Sequence, residues 1–97
     1  MPLHLLTHLN VLMQKHTKVY FKKLGFGDQD LPLCENCGSK SNDIHHLTFK
    51  SLGGKNNIEN LMALCRKCHN EAHSNRCFNN RLRKIHLDYL KINEIIT

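Results

Sequence analysis

Two C-x-x-C pairs, Cys34/Cys37 and Cys65/Cys68, constrain the folding of this 97-residue chain more than any other feature. Twenty-seven residues, 38 to 64, separate them. A chain this short hides only a little over ~60% of the surface its unfolded form exposes, so a staple adds what a larger core would supply. Cysteines paired at this spacing favour a metal over disulfides, and with it a reducing, intracellular setting. Closed sites of four thiolates hold structural zinc, whose binding is worth ~10–16 kcal/mol in finger peptides. The fifth cysteine, Cys77, has no counterpart and reads as a free thiol.

The second pair opens the stretch CRKCHNEAH, residues 65–73, which also carries His69 and His73. A single site built from these four side chains is poor geometry. His69 directly follows Cys68, and neighbours on a helix with ~3.6 residues per turn point about 100° apart. Dividing them works better. The four cysteines make one closed site, and His69 and His73 share a helix face four residues apart. With His45 from DIHH, residues 43–46, they form three imidazoles suited to a divalent ion left open to water and substrate.

Apolar periodicity places helices on both sides of this centre. From Leu3 to Leu24 there is neither glycine nor proline, and Leu5, Leu9, Leu12, His16 and Val19 recur at helical spacing. On that stripe His16 reads as a packed histidine, while His4 and His8 read as surface residues. GFGDQDLP, residues 25–32, breaks the pattern. At the other end Phe78, Leu82, Ile85, Tyr89, Ile92 and Ile96 predict a helix over 78–96, packed on the first or forming a dimer seam. His86 in that tail has no evident partner. Between the helices, NDIHHLTF suggests a short strand, KSLGGKNNIEN a turn-rich loop, LMALC either strand or helix, and RKCHNEAHSN a helix. Gly53 and Gly54 need no role beyond turn geometry.

A net charge of +6 and a pI near 9.2 make polyanions the obvious partners, although a solvated basic surface accounts for the charge equally well. MPLHLLTHLNVLM lacks a basic leader and a small-residue cleavage site, and no run approaches membrane-spanning length. A cytoplasmic protein with no membrane partner is expected.

CENC (34–37), DIHH (43–46), GG (53–54), NIENL (57–61) and LCRKCHNEAH (64–73) together resemble the HNH endonucleases of the ββα-metal, or His-Me finger, superfamily, in the form with a four-cysteine structural zinc. The resemblance covers roughly Cys34 to His73 and neither terminal helix. It implies an α+β fold: a small ββα-metal finger flanked by N-terminal and C-terminal α-helices. The chain then reads as one domain, 1–97, with a helix at 3–24, the HNH core at 33–76 and a helix at 78–96. LMAL becomes the second strand by analogy. Carried over, His46 resembles the general base and Asn60 the central asparagine that fixes the loop and helps hold the base. His45, His69 and His73 resemble the ligands of a catalytic Mg²⁺, Mn²⁺ or Ni²⁺, with His45 standing where the family often carries aspartate. Cys34, Cys37, Cys65 and Cys68 resemble the zinc ligands.

These roles suit phosphodiester hydrolysis. A neutral imidazole with pKa near ~6.5 can deprotonate water around neutral pH. Adjacent strand residues point to opposite faces, so base and metal flank the phosphorus as in-line attack requires. Lys50 and Lys55 in the loop, with Arg66 and Lys67 at the helix start, are candidate phosphate contacts on double-stranded DNA. No base-reading module is recognisable, so intrinsic specificity is expected to be low. One site cuts one strand, which makes nicking the expectation; a homodimer or a larger DNA-processing assembly stays open. The alternative is a zinc-stabilised nucleic-acid-binding or assembly module without cleavage activity.

Overall fold

The computed structural model describes residues 14–27 and 29–95. The first helix, α1 (Lys15–Leu24), stops where glycine permits it. Gly25 has φ 76°, its N–H donates to Lys22 O at 3.4 Å, and Phe26 N–H donates to Phe21 O at 2.9 Å. This left-handed cap satisfies carbonyls that the helix end would leave bare. Residues 3–13 of the expected helix, with His4, His8, Leu5, Leu9 and Leu12, lie outside the described residues, as does Ile96.

Next comes the turn that carries Cys34 and Cys37, closed by Gly38 N–H donating to Cys34 O at 2.9 Å. Strand β1 (Asp43–His46) pairs antiparallel with β2 (Leu61–Leu64), with Asp43 opposite Leu64 and His46 opposite Leu61. Helix α2 (Arg66–Ser74) follows, with Cys65 Sγ accepting from Cys68 N–H at its start. Asn75 alone separates α2 from α3 (Arg76–Ile92), and its side chain caps α3 by accepting from Phe78 N–H at 3.0 Å. The fold is α+β, and LMAL is a strand.

That strand is hard to read from periodicity because it is covered on both faces. Residues opposite one another in an antiparallel pair share a face. Met62 and Leu64 pack with Leu47, Ala72, Phe78, Leu82 and the buried cysteines, under α2 and α3. Leu61 and Ala63 pack with Ile44, Ile58, Tyr20 and Leu90, under α1 and the end of α3. A strand buried on both sides becomes a continuous apolar run, not an alternation. His45 therefore looks toward α2 and α3, and His46 toward α1.

The last helix departs from its expected phase. Its buried positions are Phe78, Asn79, Leu82, His86 and Leu90, and Ile92 is 80% exposed. The expected stripe had Ile92 facing inward; the helix instead rotates so that His86 takes a core position. The helix runs along α2 and reaches the Tyr20 cluster only at its end, so it does not lie along α1. His86, expected to be without partners, has two: its Nδ1 lies 2.7 Å from Glu35 Oε1 and its Nε2 lies 2.7 Å from Ile58 O. Tyr20 donates to the other Glu35 oxygen at 2.6 Å. A carboxylate inside the CENC turn thus ties both flanking helices to the cysteine-bearing core.

Candidate active site and metal centres

The four cysteines come together as their spacing predicts. The sulfurs of Cys34, Cys37, Cys65 and Cys68 all lie within 4.8 Å of one another, and Cys37 Sγ and Cys65 Sγ are 3.7 Å apart. A tetrahedron with metal–sulfur bonds of ~2.3 Å has edges of about 3.8 Å, so the cluster fits a zinc-sized ion. Hydrogen bonds already favour thiolate at two positions. Ser39 draws the Cys37 thiol down to about 6, and the backbone N–H of Cys68 lowers Cys65. Burial pushes Cys68 up to about 12, so a metal must displace its proton. All five cysteines are free thiols, and Cys77 is exposed and apart from the cluster.

The histidine group is separate. Ring nitrogens of His45, His69 and His73 lie within 4.8 Å of one another, and the Nε2 atoms of His69 and His73 are 3.0 Å apart. The imidazoles meet edge to face, with centroids 4.7 to 5.4 Å apart. Each has its own support. His69 Nδ1 donates to Asp43 Oδ2 at 2.9 Å, leaving Nε2 for a ligand, and Arg66 grips the same carboxylate at 2.9 and 3.3 Å. Burial acts to raise the Asp43 pKa, but Arg66 and His69 outweigh it and hold the carboxyl below its ordinary value. His73 stacks on Phe49 at 4.6 Å. His45, 1% exposed, bonds through Nε2 to Asn79 Oδ1 at 2.7 Å. Burial, opposed by Asn79 and reinforced by the other histidines, lowers His45 to about 4, which keeps it neutral and able to bind metal. Three nitrogen donors this close fit a divalent transition ion.

His46 faces the same cleft from the α1 side. Its Nε2 lies 2.9 Å from Asn56 Oδ1, and its ring stands 4.5 Å from that of His16. Among the described residues no hydrogen bond joins Asn60 to the His46 ring. Asn60 Oδ1 accepts from Thr48 N–H at 2.6 Å, and its Nδ2 donates to Thr48 O at 3.1 Å and Lys55 O at 2.9 Å. Asn60 therefore pins the β1–β2 loop, and the direct support for the His46 ring comes from Asn56. Of the basic residues, Lys50 lines the cleft, Lys55 and Lys67 are exposed, and Arg66 is occupied with Asp43.

Sequence reasoning assigned no role to Asp43, Phe49, Asn56 or Asn79, and it read His16 as a core residue rather than part of the cleft. Asp43 carried a usable signal, since it shares a strand face with His45 two residues on. Asn79 carried none, because it sits on another helix 34 positions away.

The HNH endonuclease family model matches residues 34–75. The chain is also 31% identical, over 99 aligned residues, to the type IV methyl-directed restriction enzyme EcoKMcrA of Escherichia coli (strain K12). That alignment takes in 88% of this chain and 35% of the relative, so the chain spans about a third of the relative's length. No solved structure matches the chain. Among the described residues no helix is long and apolar enough to cross a membrane. A family match over the paired cysteines and histidines, laid on a β-hairpin and helix that gather them into two clusters, makes residues 34–75 similar to the HNH endonucleases in both sequence pattern and local architecture, with four clustered cysteines as in the zinc-bearing form.

Proposed function

We propose that this chain is a metal-dependent endonuclease module that hydrolyses DNA phosphodiester bonds, one strand per event. The observation that carries the reading is the placement of four imidazoles in one cleft: His45, His69 and His73 converge from one side of β1, and His46 stands on the other. His46 donates through Nε2 to Asn56, which leaves Nδ1 to take a proton from water. The water oxygen then bonds to phosphorus while the bond to the 3′ oxygen breaks, and the released 3′ oxygen takes a proton from solvent water, yielding a 5′ phosphate and a 3′ hydroxyl. A divalent ion such as Mg²⁺, Mn²⁺ or Ni²⁺ on His45, His69 and His73, when bound, supplies Lewis-acid stabilisation of the phosphate and the departing oxygen. Asn60 holds the loop that carries Lys50, in the cleft lining, and the exposed Lys55, and these meet phosphate together with Lys67 and, through its exposed face, Arg66. The cysteine cluster holds zinc and fixes the helix start that presents His69 and His73.

The test is nicking of supercoiled plasmid by the protein in each of the three ions. His46→Ala is expected to lose ~10²–10⁴-fold of the rate, the range for a general base, with zinc content and DNA affinity retained. Equal cutting by the variant removes His46 as the base. A parent that binds DNA but cuts in none of the ions is instead the non-cleaving zinc-stabilised module.

A further inference from the structure

Asn79 lies on α3, beyond the segment that matches the family, and is 7% exposed. Its Nδ2 donates to Leu47 O at 2.9 Å, and Arg83 Nη2 donates to the same oxygen at 3.0 Å. A main-chain carbonyl can only accept, so the Asn79 amide has one sensible orientation. Turning it over would set two acceptor oxygens against each other inside the protein. Its Oδ1 is thereby committed to His45 Nε2 at 2.7 Å. An acceptor at that distance requires a proton on Nε2. Neutral imidazole carries one ring proton, and the lone pair is then on Nδ1.

That nitrogen is also the one left free of Asn79 on a ring that lines the cleft. Among the described residues the His45 side chain has no hydrogen bond other than the one to Asn79. His45 lines the cleft with His69 and His73, and ring nitrogens of the three lie within 4.8 Å of one another, which leaves Nδ1 as the nitrogen of His45 not already taken by Asn79. His69 is set the opposite way, since the Asp43 carboxylate takes its Nδ1 proton and leaves Nε2.

We infer that Asn79 is the positioning residue that selects the metal-binding nitrogen of His45, so that His45 ligates through Nδ1 while His69 ligates through Nε2. This rests on the metal site proposed above. It also gives α3 a task at that site: its first turns carry an amide that reads the carbonyl of Leu47 and passes that orientation to a ligand two residues earlier. Residues that orient a metal-bound imidazole from behind change affinity as well as geometry.

Two measurements on the zinc-loaded full chain test this. The ring ¹⁵N shifts of His45, recorded without added second metal, are expected to show a protonated Nε2 and an unprotonated Nδ1. Calorimetric titration with Ni²⁺, an ion suited to imidazole, is expected to give a Kd raised roughly 10–100-fold in Asn79→Ala, with zinc content unchanged. A proton on Nδ1 of His45 in the parent overturns the inference whatever the variant does, and so does an Asn79→Ala protein that binds Ni²⁺ as tightly as the parent. A parent that binds no Ni²⁺, or whose binding survives His73→Ala, overturns the metal-site reading instead.

Discussion

Replacing Glu35 by alanine should cost more stability than any change at the protein surface. Its side chain is fully buried, as is that of His86, and it is the shared acceptor for three donors. His86 Nδ1 lies at 2.7 Å, the Tyr20 hydroxyl at 2.6 Å and Ala63 N–H at 3.3 Å. Truncation leaves a buried imidazole and a buried phenol without the oxygen they face. Each such orphan costs ~1–3 kcal/mol, and breaking a buried charged pair from one side costs ~3–5 kcal/mol. Against a total of ~5–15 kcal/mol for a domain, that is about a fifth or more. At ~4–8 °C per kcal/mol for a chain this size, the melting temperature should fall by at least about 12 °C. Tyr20→Phe removes a donor and leaves Glu35 two others, so its cost should be smaller, about 1.5–3 kcal/mol. Calorimetry and urea unfolding of the zinc-loaded proteins would measure both. An Glu35→Ala protein within about 1 kcal/mol of the parent would refute the network as a structural tie, and so would a Tyr20→Phe loss exceeding that of Glu35→Ala.

Gly54→Ala should destabilise the loop between the strands by ~1–3 kcal/mol or more, because a Cβ there would sit 1.8 Å from Thr48 O, which is main chain. Gly53→Ala meets no atom and should cost only the strain of its φ of 87°, so equal melting temperatures for the two variants would contradict this account. Cys68→Ser should leave three sulfurs and lose most of the metal's contribution, giving a protein that unfolds or precipitates; a stable zinc-free variant, seen by metal analysis and circular dichroism, would show that the cluster is not structural. For pH, an unfolded imidazole takes up a proton near 6.5, whereas buried His45 resists until about 4. Between these values the unfolded chain binds more protons, so the stability that His45 contributes falls as pH falls through that window. In protein without the second metal, His45→Gln should therefore flatten the rise of unfolding free energy with pH from 4 to 6.5, and an unchanged slope would contradict it.

Much of the core was legible because its signals are local. A C-x-x-C pair brings two sulfurs to one side of a turn whatever surrounds it, and H-x-x-x-H puts two rings on one helix face; both clusters form as that spacing implies. The strand at LMAL was ambiguous in the sequence, since burial on both faces erases the alternation that marks a strand. The phase of α3 was misjudged at its end for a related reason. A polar residue, His86, occupies the core position that an apolar pattern would assign to a neighbour, and a carboxylate 51 residues away together with the Ile58 carbonyl makes that burial tolerable.

By itself, then, the chain determined which side chains seek metal, that they divide into a sulfur group and an imidazole group, and that helices flank them. The tertiary structure decided what stands behind those side chains. Asn79 meets His45, Asn56 meets His46, His16 lies beside that ring, and Tyr20 and His86 close on Glu35. Each of these pairs joins residues at least ten positions apart whose separation follows no backbone period. A buried polar atom takes whichever partner the packed helices and strands bring to it, and that choice exists only once the chain has folded.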